Sequence, residues 1–306
     1  MTDEPAGDVA REPVPHRAEP SGGGKPTVLF LHPGAMGARL AGECRGAGRR
    51  LWVTDGRSGD TVKRADVEGL ESVTTLATGL SQADIVISVC PPDAALAQAE
   101  TVAAIGPTAG FDGVYVDANA VAPATSGAIG ELFGPQGYLD GGIIGPPPGR
   151  PGSTRLYLSA DPGNRVAAHE VAALWDESRL EVRVIEGGVG AASALKMSYA
   201  AWTKGSAALL LSIVAGADAF GVGAELAYEW SRSQPGLGER ANAQASGVGA
   251  KAWRFSGEMI EIANTFAQVG LPDGFWRAAA ETYRRLAALK EEPEPDLERV
   301  IEMLAD

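Results

Sequence analysis

Cysteine is scarce: Cys44 and Cys90 are the only two, one in a predicted helix and the other at a strand end. Neither a disulfide framework nor a cysteine-based zinc site is suggested, and reduced thiols in a cytoplasmic protein are expected. Histidine is almost as rare. His16, His32 and His169 stand far apart in unlike contexts, so local spacing offers no ligand set and no metal is expected. Basic residues are in deficit as well, with 26 Lys and Arg against 39 Asp and Glu, a formal charge of -13 and no basic run. Nucleic-acid backbones are bound by clustered Lys and Arg that release counterions, so this balance argues against such a partner. Residues 1–26 lack any apolar run and are rich in Pro, Gly and charge. Such a stretch buries too little to offset its ordering entropy and holds no signal-peptide core, so a disordered tail is expected. Long apolar segments are missing too: "AALLLSIVAGADAF" is interrupted at Asp218 before it reaches membrane length, and no membrane partner is expected.

From Thr27 to about Ile185 short β-branched runs ("TVLFL", "RLWVT", "ADIVISVC", "GVYVDA", "GYLDGG", "TRLYLS", "EVRVI") alternate with helical patterns. That alternation predicts parallel strands joined by crossover helices. Beyond "EGGVG" the sequence is helix-forming, broken at "FGVG", "SQPGLGE" and "VGLPDG", with no convincing strand. The expected architecture is therefore α/β: a Rossmann-type dinucleotide-binding domain over 27–186, then an all-α domain over 187–306 entered by a long interdomain helix. Gly187, Gly188 and Gly190 mark the boundary, since glycine permits the turn into that helix. The helix, "GAASALKMSYAAWTKGSAALLLSIVAGADAF", is apolar around much of its circumference, so more than one face is expected to be buried, one of them in a homodimer. The acidic "KEEPEPDLE" reads as a solvated linker before a last short helix.

The stretch "VLFLHPGAMGARLAGE" is a strand, a glycine turn and a helix start. Pyrophosphate binding needs backbone free of side chains at a helix N-terminus. Gly34, Ala35, Met36 and Gly37 supply that, with Gly34 as second and Gly37 as third glycine of the usual turn and His32 in place of the first. Asp55 follows about 20 residues later, where a ribose-binding side chain belongs. Asp55 favours a free ribose 2′-hydroxyl and hence NAD. Arg57 and Ser58 follow directly and favour a 2′-phosphate, because Arg suits phosphate geometry; NADP is the preferred cofactor, with NAD as the alternative. Cys90, Pro91 and Pro92 in "SVCPP" form a stiff loop at the carboxyl edge of the sheet, and Asn119 lies just past another strand end.

Together "GAMG", "SVCPP", "DANAVAP", "DGGIIGPPP" and "GGVGAASALKMSYAAWTKG" resemble the β-hydroxyacid dehydrogenase and 6-phosphogluconate dehydrogenase superfamily, which includes imine reductases. The likeness is greatest to a subgroup whose helical C-terminal domain carries an unknown-function label. It implies an NAD(P)-dependent oxidoreductase acting between an alcohol and a carbonyl, with Lys196 matching the catalytic lysine and Asn119 beside the cofactor. Imine reduction and a non-catalytic dinucleotide-binding role are the alternatives. The family's asparagine one turn beyond the lysine is Ala200 here, and Lys204 or Ser193, neighbours on the same helix face, are candidates to replace it. The substrate-carboxylate loop, Ser-Gly-Gly in relatives, is Ile144, Gly145 and Pro146. Gly257 and Glu258 stand where many relatives carry a Lys-Asp pair, with Trp253 and Arg254 one turn earlier. Tyr199 and Trp253, with Trp202, Tyr228, Trp230 and Trp276, line either a substrate pocket or packed interfaces.

Overall fold

The structure is a computed structural model that describes residues 24–248, 251–292 and 294–305. Residues 1–23 of the expected tail lie outside the described residues. The N-terminal half alternates β1 (Thr27–Phe30), α1 (Ala35–Glu43), β2 (Arg49–Val53), α2 (Gly59–Val67), β3 (Glu71–Val73), α3 (Leu76–Leu80), β4 (Ile85–Ser88), α4 (Pro92–Ala109), β5 (Val114–Asp117), α5 (Pro123–Gly137) and β6 (Tyr138–Ile144). It ends with β7 (Thr154–Ser159), α6 (Arg165–Ala172) and β8 (Leu180–Val184). The strands form one sheet in the order β3-β2-β1-β4-β5-β6-β7-β8.

Helices cover both faces, which is why these strands read as unbroken apolar runs and not as alternating ones. Val28 and Phe30 of β1 pack with Leu40 of α1 and Val171 of α6. Leu29 points the other way, into a core with Leu80 of α3 and Ala99 of α4. Chain order reverses between β1 and β4, so the crevice beyond their carboxyl ends is the switch point at which sheets of this kind bind ligands.

One feature departs from the all-parallel expectation. β7 runs antiparallel to β6, because the loop over 145–153 is too short for a crossover, which needs a dozen residues or more. The edge strand β3 was not anticipated; three residues carry no usable periodicity.

The helical half comprises α7 (Ala191–Ala219), α8 (Gly223–Ser233), α9 (Leu237–Val248), α10 (Ala252–Gln268), α11 (Gly274–Arg285) and α12 (Leu297–Ala305). Gly187, Gly188 and Gly190 adopt φ of 113°, 77° and 90° on the way into α7, a region closed to most side chains. At 29 residues α7 is, by length and composition, long and apolar enough to cross a membrane. The helix begins well before the "AALLLSIVAGADAF" run and is longer than that run alone indicates. Here α7 packs as a core element, with Met197, Ala200 and Leu211 buried among Val248 of α9, Ile262 of α10 and Tyr283 of α11.

The halves are tied by Glu261 of α10, whose Oε2 accepts from the Ala122 amide at 2.6 Å and the Thr125 hydroxyl at 2.9 Å. Ala122 is the N-cap of α5 and has no side-chain oxygen of its own, so a carboxylate from the other half of the chain caps that helix. Glu261→Ala is expected to cost about 1–2 kcal/mol, read as a lower urea midpoint with an unchanged slope.

Candidate active site

The β1–α1 turn is shaped by close approach. A Cβ on Gly37 would collide with the His32 carbonyl oxygen, whereas one on Gly34 would meet nothing within 4 Å. Gly34 therefore borders open space at the N-terminus of α1, which has neither a side-chain cap nor an acidic residue in its first turn. Ala35 is exposed there and Met36 half-buried against the sheet core. Asp55 is exposed beyond β2, and Ser58 caps α2, its hydroxyl accepting from Thr61 N at 3.4 Å. Burial lowers the Arg57 pKa, while the Asp55 carboxylate raises it. Burial and the Arg57 charge push the His32 pKa down to about 4, so its imidazole is neutral at pH 7.

Asn119 is oriented inward. It is 2% exposed; its Oδ1 accepts from Cys90 N at 2.6 Å, and its Nδ2 donates to Ser88 Oγ at 3.1 Å and to Asp117. The amide thereby rivets the loops after β4 and β5 together. Cys90 lies at the carboxyl edge as expected, but burial pushes its thiol up to about 12, so it carries no nucleophilic thiolate. Pro91 and Pro92 are the N-cap and first residue of α4, where proline's missing N–H costs nothing.

α7 is docked by its first turn. Asp140 on β6 accepts from Ser193 N at 3.0 Å and Ser193 Oγ at 2.6 Å, and Ser159 Oγ accepts from Ala192 N at 3.0 Å. The Ser193 hydroxyl anchors the helix to the sheet. Gly142, two residues beyond Asp140, makes room for that helix, since a Cβ there would stand 2.6 Å from the Ala192 carbonyl oxygen and 3.1 Å from Lys196 Cβ.

Lys196 and Lys204, two turns apart, converge on one carboxylate. Glu258 Oε1 of α10 is 3.5 Å from Lys196 Nζ and 2.5 Å from Lys204 Nζ. All three side chains are largely buried. Burial raises the Glu258 pKa, but the two ammonium groups outweigh it and hold the carboxyl below its usual range. Burial lowers Lys204 from 10.5 to about 8, with Glu258 opposing and Lys196 assisting the fall. Its ammonium also lies 4.8 Å from the centre of the Phe255 ring. The helix that carries Glu258 approaches the start of α4, where a Cβ on the neighbouring Gly257 would lie 3.9 Å from Pro92 Cγ.

Other expected residues stay apart from this cluster. Trp253 stacks under Lys290, 4.6 Å from its Nζ, and Tyr199 is an exposed residue of α7. Ile144 is buried in the sheet, so only Gly145 and Pro146 of the expected substrate loop face outward. Asp140 and Gly142 are the site residues that sequence reasoning passed over. Their signal was the "DGG" at a strand end, small residues flanking a carboxylate where a helix must land.

Residues 217–286 match the DUF1932 family, described as a domain of unknown function. A relative described as an uncharacterized 28.5 kDa protein in the 7S RNA 5' region of Methanothermus fervidus is 29% identical over 171 residues, 56% of this chain. The match spans 62% of that relative's length. Among solved structures, a conserved hypothetical protein from Sinorhizobium meliloti is 25% identical with a TM-score of 0.65, over 92% of this chain and 97% of that one. A 3-hydroxyisobutyrate dehydrogenase from Mycobacterium tuberculosis, solved with L-serine, is 17% identical with a TM-score of 0.61 over 92% and 99%. Beyond the DUF1932 match over residues 217–286, the chain has the fold of the 3-hydroxyacid dehydrogenases. The same fold extends to a reductive aminase from Aspergillus terreus in complex with NADPH4, cyclohexanone and allyl amine (16% identity, TM-score 0.51, 91% and 99% coverage). The DUF1932 segment includes Glu258 and Glu261 but neither lysine.

Glu258→Gln leaves two ammonium groups facing each other in a buried site. It is expected to cost about 3 kcal/mol at pH 7 and to lower Lys204 further below about 8. Because the folded Lys204 pKa lies below the unfolded one, stability from this group rises with pH between about 8 and 10.5. In the variant that window opens at lower pH, so denaturation curves should show a smaller deficit at pH 9.5 than at pH 7.

Proposed function

We propose that this chain is an NADP(H)-dependent oxidoreductase that interconverts a small-molecule alcohol and carbonyl, with Lys196 as general acid and base. The observation that carries the reading is the Lys196–Glu258–Lys204 cluster, whose helix α10 approaches the start of α4 at the carboxyl edge of a sheet whose switch point holds a glycine turn. Residues 27–186 then hold the cofactor, and 187–306 supply the substrate side and the dimer contact.

The residues present fit a dinucleotide. Gly34 borders open space, α1 offers an uncapped N-terminus without acid, and His32 Nδ1 and Arg57 Nε are buried polar atoms without a partner among the described residues. When bound, the nicotinamide supplies or accepts the hydride. Lys196 gives or takes the proton at the substrate oxygen. Glu258 holds its ammonium in place, and Lys204 stands in for the amide absent at Ala200. Asp55, Arg57 and Ser58 flank the adenosine ribose, Arg57 favouring NADP over NAD; the NADPH4 complex of the Aspergillus terreus reductive aminase supports that cofactor class. Imine reduction is the second reading, favoured by the buried Ile144 and by a loop that offers no hydroxyl for a carboxylate. The two free thiols fit a reducing cytoplasm.

A homodimer through α7 completes the reading. Leu195, Tyr199, Trp202, Leu209, Ile213 and Phe220 lie exposed along it at spacings of three, four and seven residues, Trp202 at 68% and Phe220 at 86%. Such a stripe is the seam of a helix packed on another helix. Light scattering at micromolar concentration should give twice the chain mass, and Trp202→Glu the monomer mass.

Turnover of aldehydes, 2- and 3-hydroxyacids and cyclic imines, followed by cofactor absorbance, tests the function. Lys196→Ala should lower kcat by about two to four orders of magnitude while leaving cofactor affinity unchanged. In the reductive direction the rate should fall as pH rises through about 8, where Lys204 loses its proton, and Lys204→Met should remove that limb. Full activity in Lys196→Ala with loss in Lys204→Ala moves the proton relay two turns along α7.

A further inference from the structure

The usual dinucleotide turn has glycine where this chain has His32, and a side chain at that point stands at the end of β1, between the ends of β2 and β4. Arg57 comes from beyond β2 and faces both His32 and Cys90. His32, Arg57 and Cys90 thus stand at three adjacent strand ends, close enough for the Arg57 charge to act on the other two. Their polar atoms are incompletely matched. His32 Nδ1 and Arg57 Nε are buried, and neither has a hydrogen-bond partner among the described residues. A buried orphan of this kind costs about 1–3 kcal/mol, and two side by side call for a shared acceptor. The neighbouring arginines have theirs: Arg39 pairs with Glu68, Arg49 with Glu71, and Arg45 and Arg179 with Glu43. Among the described residues Arg57 makes no ion pair within 4 Å, and Asp55, the carboxylate facing it, is exposed.

We propose that His32 is a specificity-determining residue that, with Arg57, grips the 2′-phosphate of the adenosine ribose of NADP(H). The inference rests on the reading of the chain as a dinucleotide enzyme and adds a residue to it. A phosphate dianion accepts from the guanidinium on one side and from the imidazole on the other, satisfying both orphans with charge-assisted bonds. A free ribose hydroxyl can pair with these groups but carries no charge, so it leaves Arg57 without a counter-ion. Arg57 follows β2, the strand beside which the ribose lies, so the ribose phosphate and not the pyrophosphate is its target. Glycine at position 32 would offer no such group.

Calorimetric titration of the full chain with 2′,5′-ADP and with 5′-AMP tests this. The wild type should bind 2′,5′-ADP about 10-fold or more tighter than 5′-AMP, the gain expected of charge-assisted bonds. His32→Gly should lose about 10-fold for 2′,5′-ADP and keep the affinity for 5′-AMP. A wild-type ratio in His32→Gly overturns the proposal. A second measurement needs no variant: the imidazole resonances of His32, one of three histidines, should shift with 2′,5′-ADP and not with 5′-AMP. Equal shifts with both, or none with either, overturn it as well. Failure of the wild type to bind NADP+, NAD+ or either probe removes the dinucleotide reading itself, whereas binding with an unaltered ratio in His32→Gly removes only the role of His32.

Discussion

The first turn of α7 is bound to the sheet through a carboxylate that never meets water. Asp140 is fully buried, and the groups donating to it are Ser193 N, Ser193 Oγ and Ser159 Oγ. A helix start leaves amide groups without partners, and its dipole favours negative charge there. Burial nonetheless raises the Asp140 pKa against those hydrogen bonds, so the arrangement holds only while every donor stays in place. The position of the long helix follows from it. With Ala192 and Ser193 anchored and Gly142 clearing space, Lys196 is set against the end of β6, and Lys204 falls on the same face two turns on.

α10 divides its carboxylates between two tasks. Glu258 faces α7 and neutralises one of two lysine charges, while Glu261, one turn further, caps α5 across the boundary between the halves. Displacement of α10 would therefore unpair the lysines and uncap α5 together. The matched DUF1932 segment contains both glutamates, so its part in the site is to supply counter-charge and position to a lysine helix that begins outside it.

Much of the α/β half was legible. The glycine turn announces itself because Gly37 touches the His32 carbonyl and the three boundary glycines need left-handed φ. These are steric rules acting within a few residues. Strand faces were legible for a similar reason, since Val28 and Leu29 belong to opposite cores by alternation alone. Side-chain destinations were less so. Asn119, Ser193 and Ser58 have hydroxyl or amide groups that suit a ligand in sequence, yet each is occupied by the protein's own backbone or carboxylates. Polar residues near strand ends serve loops and helix starts as readily as substrates, and periodicity does not distinguish the two.

The sequence by itself determined the order of elements, the switch point and the glycine turn, since these depend on local sterics and on the spacing of apolar residues. Tertiary structure alone decided that β7 turns back against β6, that Lys196 and Lys204 share a carboxylate, and that His32 and Arg57 each bury a polar atom without a partner among the described residues. Glu258 is 54 positions from Lys204, and nothing local relates them. Such a pair exists only because burial removes water from both charges and leaves each as the other's partner, a condition set by how the helices pack.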